Sequence, residues 1–381
     1  MEDFLSFAQS KLEYLQQNNS LRRLKISDCN IDFTSNDYLG IGRSEKFNKR
    51  VGDWMASSPS MLGTGGSRLL SGNQPIHEQV EAEMAQFFRA PAALVFASGY
   101  LANLGLLSAL LLRGDAVFYD ALSHASIKDG IRLGLAEKVK FKHNDAQDLE
   151  AKLKRSKVKG KKIVVVEAIY SMDGDQAPLQ ELLAVCEANG ASLIVDEAHS
   201  TGVLGEQGAG LVVQEQLEDR VLARVHTFGK AAGCHGGVVV GPSTLIHYLI
   251  NHSRAFIYTT APSAHQCMAI SIATQIMEAS VQERKQLLEN IGYFKSQAAI
   301  VFQNQNRYKL LPSDTAIQGV VIPEVDLVKS KCMELQAKGI DVRPVLSPTV
   351  PKGSERIRIC LHSFNIKSEI DALLLAFQNR Q

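Results

Sequence analysis

Six short segments rich in Val, Ile, Leu and Phe recur between residues 93 and 240: Ala93–Ala97, Ala116–Tyr119, Lys162–Glu167, Ser192–Asp196, Ala223–Phe228 and Gly237–Val240. Most are apolar throughout. A strand with one wet face alternates apolar and polar residues, whereas a strand covered on both faces does not. Helical stretches such as Leu101–Leu112 and Pro178–Ala188 lie between these runs, several of them ending at glycine. The alternation predicts an α/β fold: a large domain with a mainly parallel central sheet flanked by helices.

After about Ser263 the pattern changes to long helices, short strands at Gly319–Ile322 and Arg356–Leu361, and a final helix from Lys367. That reads as a smaller C-terminal α+β domain. The expected division is an N-terminal helical segment (1–36), a large ligand-binding domain (37–265) and a small domain (266–381). A chain of 381 residues is long enough for one large core with a smaller companion.

The first residues, MEDFLSFAQSKLEYLQ, carry acids near the start and apolar residues at helical spacing, which reads as an amphipathic helix and not as a secretory signal. No run approaches the eighteen uncharged apolar residues of a membrane span. Lys and Arg number 41 against 40 Asp and Glu, a net charge of +1 that calls for neither nucleic acid nor an anionic membrane. The run KRSKVKGKK at Lys154–Lys162 reads as a solvated helix end and turn. Six scattered cysteines form no CxxC pair and no metal-ligand spacing, so the expectation is reduced thiols in a cytoplasmic protein with no metal. There is no internal repeat and no low-complexity linker.

In open α/β sheets ligands bind beyond the carboxyl ends of the strands. Five such ends carry chemically useful groups. SGY at Ser98–Tyr100 opens a helix, where backbone amides and the helix dipole suit a phosphate. DALSHAS presents His124. Glu167 and Ser171 follow the third run, Asp196 and His199 the fourth, and Thr227 and Lys230 the fifth. Taken singly, a lysine after a strand is usually solvated, a strand-end Asp or Thr is often a cap, and a lone histidine is usually structural. Together they supply the Schiff-base lysine, the acid for a pyridinium nitrogen and the phosphate cradle that pyridoxal 5'-phosphate requires.

The strings SNDYLG (Ser35–Gly40), GTGGSRLLSGN (Gly63–Asn73), SHAS (Ser123–Ser126), YSMDGD (Tyr170–Asp175), DEAHSTGVLG (Asp196–Gly205), TFGKA (Thr227–Ala231) and SPTVP (Ser347–Pro351) resemble the α-oxoamine synthases, which have the aspartate-aminotransferase-like fold of pyridoxal-phosphate enzymes. The resemblance covers nearly the whole chain in order. It implies Lys230 as the Schiff-base lysine, Asp196 as partner of the ring nitrogen, His199 and Ser171 on the phenolic-oxygen side, and His124 stacked on the ring and able to bond the carbonyl under attack. Gly99, Tyr100 and Thr227 would surround the phosphate and cofactor. Thr259 or Thr260 would reach the phosphate of a neighbouring subunit, so the resemblance implies a homodimer with shared sites. Arg22, Asn36, Thr349 and Arg358 would bind substrate, with Arg358 as the natural bidentate partner of an amino-acid carboxylate.

Within the family the chain most resembles members that condense L-alanine with a pimeloyl thioester, on coenzyme A or an acyl carrier protein, in biotin synthesis. The short stretch before Leu21–Arg23 is that of the shorter members. In the proposed reaction Lys230 serves as general base at Cα. One departure stands out: Leu346 occupies a position where these members carry an arginine. Arg343 lies three residues earlier, about 10 Å along a strand and on the opposite face, so it does not fill that position. Two relatives of the reading stay open, a glycine-using 2-amino-3-ketobutyrate ligase and a serine palmitoyltransferase-like enzyme, as does a non-catalytic binding scaffold. Three local motifs fail: DEAH lacks the accompanying phosphate loop, HEQVE at His77–Glu81 lacks a second histidine, and GTGGSR follows no apolar strand.

Overall fold

The computed structural model describes residues 2–58, 62–303 and 307–378. They form two compact units. The larger comprises Asn36–Ser171 and Asp175–Lys285. Its seven strands are β1 (Ala92–Phe96), β2 (Ala116–Asp120), β3 (Glu137–Phe141), β4 (Lys162–Glu167), β5 (Ala191–Asp196), β6 (Ala223–Thr227) and β7 (Gly237–Gly241). Their spatial order is β1-β7-β6-β5-β4-β2-β3. The run from β6 to β3 is parallel, and β7 is antiparallel to both of its neighbours, so the sheet is mainly parallel as expected.

The unbroken apolar runs are explained by burial on both faces. Ile163 and Val165 of β4 join Val117, Ile194, Val225 and Val239 in a core on one side of the sheet. Val164 and Val166 join Phe118, Val195 and Leu182 on the other. Each such side chain contributes roughly 1.5–3 kcal/mol on burial.

Two features depart from the apolar pattern. Strand β3 was not expected, because it is an edge strand whose Glu137, Lys138 and Lys140 are exposed, and edges are commonly charged. Strand β6 buries Arg224 and His226. Arg224 donates to the Arg89 carbonyl at 3.3 Å, while the His226 ring stacks on Phe88 at 3.6 Å and its Nδ1 lies 2.9 Å from Thr201 Oγ1. The larger unit also continues beyond residue 265, because the Ala264–Ala279 helix packs on the Glu45–Ser57 and Pro75–Phe87 helices.

The smaller unit comprises the described parts of 1–35, 172–174 and 286–381. Its sheet has β8 (Ile317–Val321), β9 (Arg343–Val345) and β10 (Arg356–Cys360), with β10 in the centre and antiparallel to both, and the short strand Lys309–Leu310 beside β8. Strand β9 was not expected; at three residues it is too short to show a period. The N-terminal helix runs Glu2–Gln17, and the last helix Lys367–Leu375. No disulfide joins any of the six cysteines. Among the described residues no helix is long and apolar enough to cross a membrane.

The sheet fixes where the next helix begins. Gly237, the first residue of β7, pairs with Phe96 on one side and Thr227 on the other. A Cβ on Gly237 would lie 2.5 Å from the amide nitrogen of Gly99, and one on Gly99 would lie 2.8 Å from Cβ of Thr227. The helix Gly99–Leu110 therefore starts directly on the strand ends only because both positions lack a side chain. Gly237→Ala is expected to destabilise the fold by about 1–3 kcal/mol through overpacking. Gly292→Ala, in an exposed helix position with open space around it, is expected to be neutral or to stabilise by about 0.5–1 kcal/mol. Chemical denaturation of the two variants beside the parent checks the contrast.

Candidate active site

The carboxyl ends of β4 and β5 lie in register, so Glu167 and Asp196 are direct neighbours. Both are buried, at 3% and 5% exposure. The Asp196 carboxylate accepts from the amide of Ala198 at 2.9 Å and from Asn103 Nδ2 at 2.6 Å. Glu167 Oε1 accepts the backbone N–H of His124 at 2.5 Å. Burial, reinforced by the Asp196 charge, raises the Glu167 pKa to about 8. At neutral pH Glu167 therefore keeps its proton beside the Asp196 charge.

Asn103 also ties Asp196 to His124. Its second amide hydrogen reaches Ser126 Oγ at 3.1 Å, and Ser126 Oγ lies 2.8 Å from His124 Nδ1. The amide of Ser126 donates to the same nitrogen at 3.2 Å. An Nδ1 that accepts leaves the ring's hydrogen on Nε2. Desolvation lowers the His124 pKa; the Asp196 charge opposes that, and the positive charge of Lys230 adds to it. His124 is therefore a neutral Nε2–H donor at neutral pH, with the ring of Tyr100 edge-on at 6.4 Å.

His199 Nδ1 lies 2.8 Å from the hydroxyl of Tyr38, which donates to Asn36 Oδ1 at 3.1 Å. With that hydroxyl hydrogen given to Asn36, the Tyr38 oxygen accepts from His199 Nδ1, which orients the imidazole. SNDYLG thus supplies two of the three groups in this chain, Asn36 among them.

Thr227 ends β6 and donates from Oγ1 to the Gly236 carbonyl at 3.2 Å, against the start of the Gly99–Leu110 helix. Ser98 caps that helix by accepting the Leu101 amide at 3.2 Å. Lys230 lies three residues on, half-buried in a turn closed by the Gly233 amide on its carbonyl at 2.8 Å. Its charge acts on both Glu167 and His124. Ser171 ends the segment after β4.

The other expected residues lie on other segments of the chain. Thr259 and the exposed Thr260 precede Ala261, whose amide donates to the Gly66 carbonyl at 3.0 Å, so they belong with the GTGGSR loop. That loop is a built structure: Arg68 pairs with Glu81 through two hydrogen bonds of 2.8 and 2.9 Å. Arg22, Thr349 and Arg358 belong to the smaller unit. There Arg22 is exposed, Thr349 lies in an exposed turn, and Arg358 is half-buried on β10 with Nη1 2.9 Å from Cys360 Sγ.

Three polar groups of the larger unit were missed in the sequence: Asn103, Ser126 and Tyr38. Asn103 had a visible signal, a lone amide in the apolar helix GYLANLGLLSAL, one turn after its start. The amine, the single carboxylate, the flat imidazole and the glycine-walled helix start are the groups pyridoxal phosphate requires. One observation fits a ligand there: Asn103 Oδ1 is buried without a hydrogen-bond partner.

The profile of the aminotransferase class I and II family matches residues 30–374. A relative from Halalkalibacterium halodurans, described as a putative 8-amino-7-oxononanoate synthase, is 39% identical over 99% of this chain and 96% of its own. An 8-amino-7-oxononanoate synthase from Lysinibacillus sphaericus is 36% identical over 90% of this chain and 86% of its own. Among solved structures, serine palmitoyltransferase of Sphingomonas wittichii superposes with a TM-score of 0.85 at 31% identity, covering 91% of this chain and 86% of its own. The 8-amino-7-oxononanoate synthase of Francisella tularensis gives 0.77 at 29%, covering 91% and 96%. With the fold, the strand-end groups and these likenesses in agreement, the chain belongs to the aminotransferase class I and II family, as a pyridoxal-phosphate-dependent acyltransferase of the α-oxoamine synthase type.

Proposed function

We propose that the protein condenses L-alanine with a pimeloyl thioester, releasing carbon dioxide and the free thiol and forming 8-amino-7-oxononanoate for biotin synthesis. The observation that carries this reading is the buried Asp196 carboxyl, bonded to Asn103 and in register beside Glu167, which in turn holds the backbone of His124. The names of the relatives supply the substrate half.

Pyridoxal phosphate, when bound, supplies an electron sink for negative charge that develops at Cα of the amino acid. Lys230 Nζ would be its covalent anchor and, once the amino acid has displaced it, the free amine would take and return the Cα proton. Asp196 keeps a proton on the ring nitrogen. His199, oriented by Tyr38 and Asn36, would act with Ser171 on the phenolic side. Gly99, Tyr100 and Thr227 cradle the phosphate, with Thr259 or Thr260 serving a second copy of the chain in a homodimer. His124 would cover the ring and, with Nδ1 occupied by Ser126, would donate Nε2–H to the carbonyl oxygen under attack. Arg358 takes the amino-acid carboxylate, and Arg22, Asn36 and Thr349 position the acyl donor, presented on coenzyme A or an acyl carrier protein in the cytoplasm.

A second reading, a serine palmitoyltransferase-like enzyme, is favoured by the solved-structure likeness. Product analysis separates the two. Alanine with pimeloyl thioester is expected to give an amino ketone at a far higher kcat/KM than serine or glycine with palmitoyl or short acyl donors. The reverse preference would remove the biotin reading.

Lys230→Ala is expected to lose the visible Schiff-base absorption band and roughly 10²–10⁴-fold or more in kcat, the share usual for a general base. Absorption spectra and steady-state rates of the purified variant test both losses; an unchanged band would overturn the anchor.

The charge assignment has its own test. Glu167 has a folded pKa of about 8 against an ordinary 4.5, so between those values the folded chain holds a proton that the unfolded chain has lost. Stability therefore falls as pH rises through that window, and Glu167→Gln is expected to flatten the slope. Denaturation of the cofactor-free protein from about pH 5 to about pH 9 measures it.

A further inference from the structure

Both ring nitrogens of His143, just beyond edge strand β3, face carboxylates. Nδ1 lies 2.9 Å from Oδ1 of Asp120, and Nε2 lies 2.7 Å from Oδ2 of Asp175. Ionised carboxylates only accept hydrogen bonds, so both nitrogens must carry hydrogen and the ring is an imidazolium. The shifts agree. Desolvation alone would lower the His143 pKa, but the bonds to Asp120 and Asp175 outweigh it and raise the value to about 9. Burial would raise that of Asp120, yet His143 and the amides of Asn144 and Leu122 hold it below the ordinary carboxylate value.

The two carboxylates belong to two loops that carry site residues. Asp120 ends β2; its Oδ1 accepts the Leu122 amide at 2.7 Å and its carbonyl accepts the Ser123 amide at 3.1 Å, immediately before His124. The Asp175 carbonyl accepts the Tyr170 amide at 3.0 Å, immediately before Ser171. Asn144 repeats the link, giving its amide to Asp120 Oδ2 at 2.9 Å and its side-chain Nδ2 to Asp175 Oδ2 at 2.6 Å. Asn144 does so at φ 51°, in the left-handed region that asparagine tolerates better than most residues. The ring of Tyr170 meets the imidazole edge-on at 4.5 Å.

We propose that His143 is a positioning residue of the reaction: with Asn144 it clasps Asp120 to Asp175, fixing the loop that presents His124 relative to the loop that presents Ser171. The inference rests on the roles assigned above to His124 and Ser171. Without the cation, Asp120 is a buried carboxylate with no counter-charge in the clasp, and its loop must open to water to keep it solvated.

Nitrogen NMR of the holoenzyme at neutral pH is expected to show both His143 nitrogens protonated. In His143→Gln, kcat is expected to fall roughly ten- to hundredfold, the scale of a small misplacement of catalytic groups, with the amino-acid KM little changed. The circular dichroism of the bound cofactor weakens. The amides of Leu122 and Asn144 exchange faster, while those of Val164–Val166 in β4 stay protected. Asp175→Asn, at a less buried position, keeps the test available if the first variant folds poorly. Adding it to His143→Gln should cost no more than about twofold further, because the two act as one unit. A neutral ring, parental kcat in a folded variant, or fully additive losses would overturn the proposal. A fully active His124→Ala would remove the functional reading, and the positioning role with it, whatever the charge on His143.

Discussion

Asp196 ends a strand that is dry on both faces, and the rest of the site depends on how its charge is kept there. An ion in such a place costs several kcal/mol unless hydrogen bonds replace its water. The Ala198 amide and the Asn103 side chain do so, one on each carboxylate oxygen. Parallel register then places a second acid beside it, and two neighbouring buried carboxyls do not both ionise near neutrality. Glu167 keeps its proton.

The same charge organises the neighbouring loops. Asn103 spends one hydrogen on Asp196 and the other on Ser126, and Ser126 then decides which nitrogen of His124 accepts. Glu167 holds the backbone of that histidine. Groups from the starts of two helices and the ends of two strands are therefore set by one network, so a change at any of them is felt at the others. The helix carrying Asn103 is in turn seated by Gly99 and Gly237, where the lack of side chains lets backbone meet backbone.

Much of this is legible in the sequence because it is local. Strands β4 and β5 announce two-sided burial by having no polar alternation, and the acid, histidine, threonine and lysine just past the strand ends are where ligand chemistry belongs. What stays hidden depends on register between distant segments. Asn103 and Asp196 are 93 positions apart, and His143 and Asp175 are 32 apart; neither pairing has a spacing rule. Strand β3 was missed for a different reason: an edge strand buries little, so charge replaces the apolar run that marks its neighbours.

Register also sharpens what Leu346 changes. In the smaller unit Arg343 of β9 stands directly opposite Arg358 of β10, so both guanidinium stems leave the same face of that sheet. Gly319 faces Arg358 from the other flank and adds no side chain. Like charges directly opposite repel, and Asp341, 3.1 Å from the Arg343 guanidinium, offsets one of the two. Arg343 thus does not stand in for an arginine at 346, which would project from the loop beyond β9, but it leaves the sheet face beside Arg358 strongly basic. The absence of a guanidinium at 346 therefore concerns that loop alone and leaves the arginine pair on the sheet face as it is.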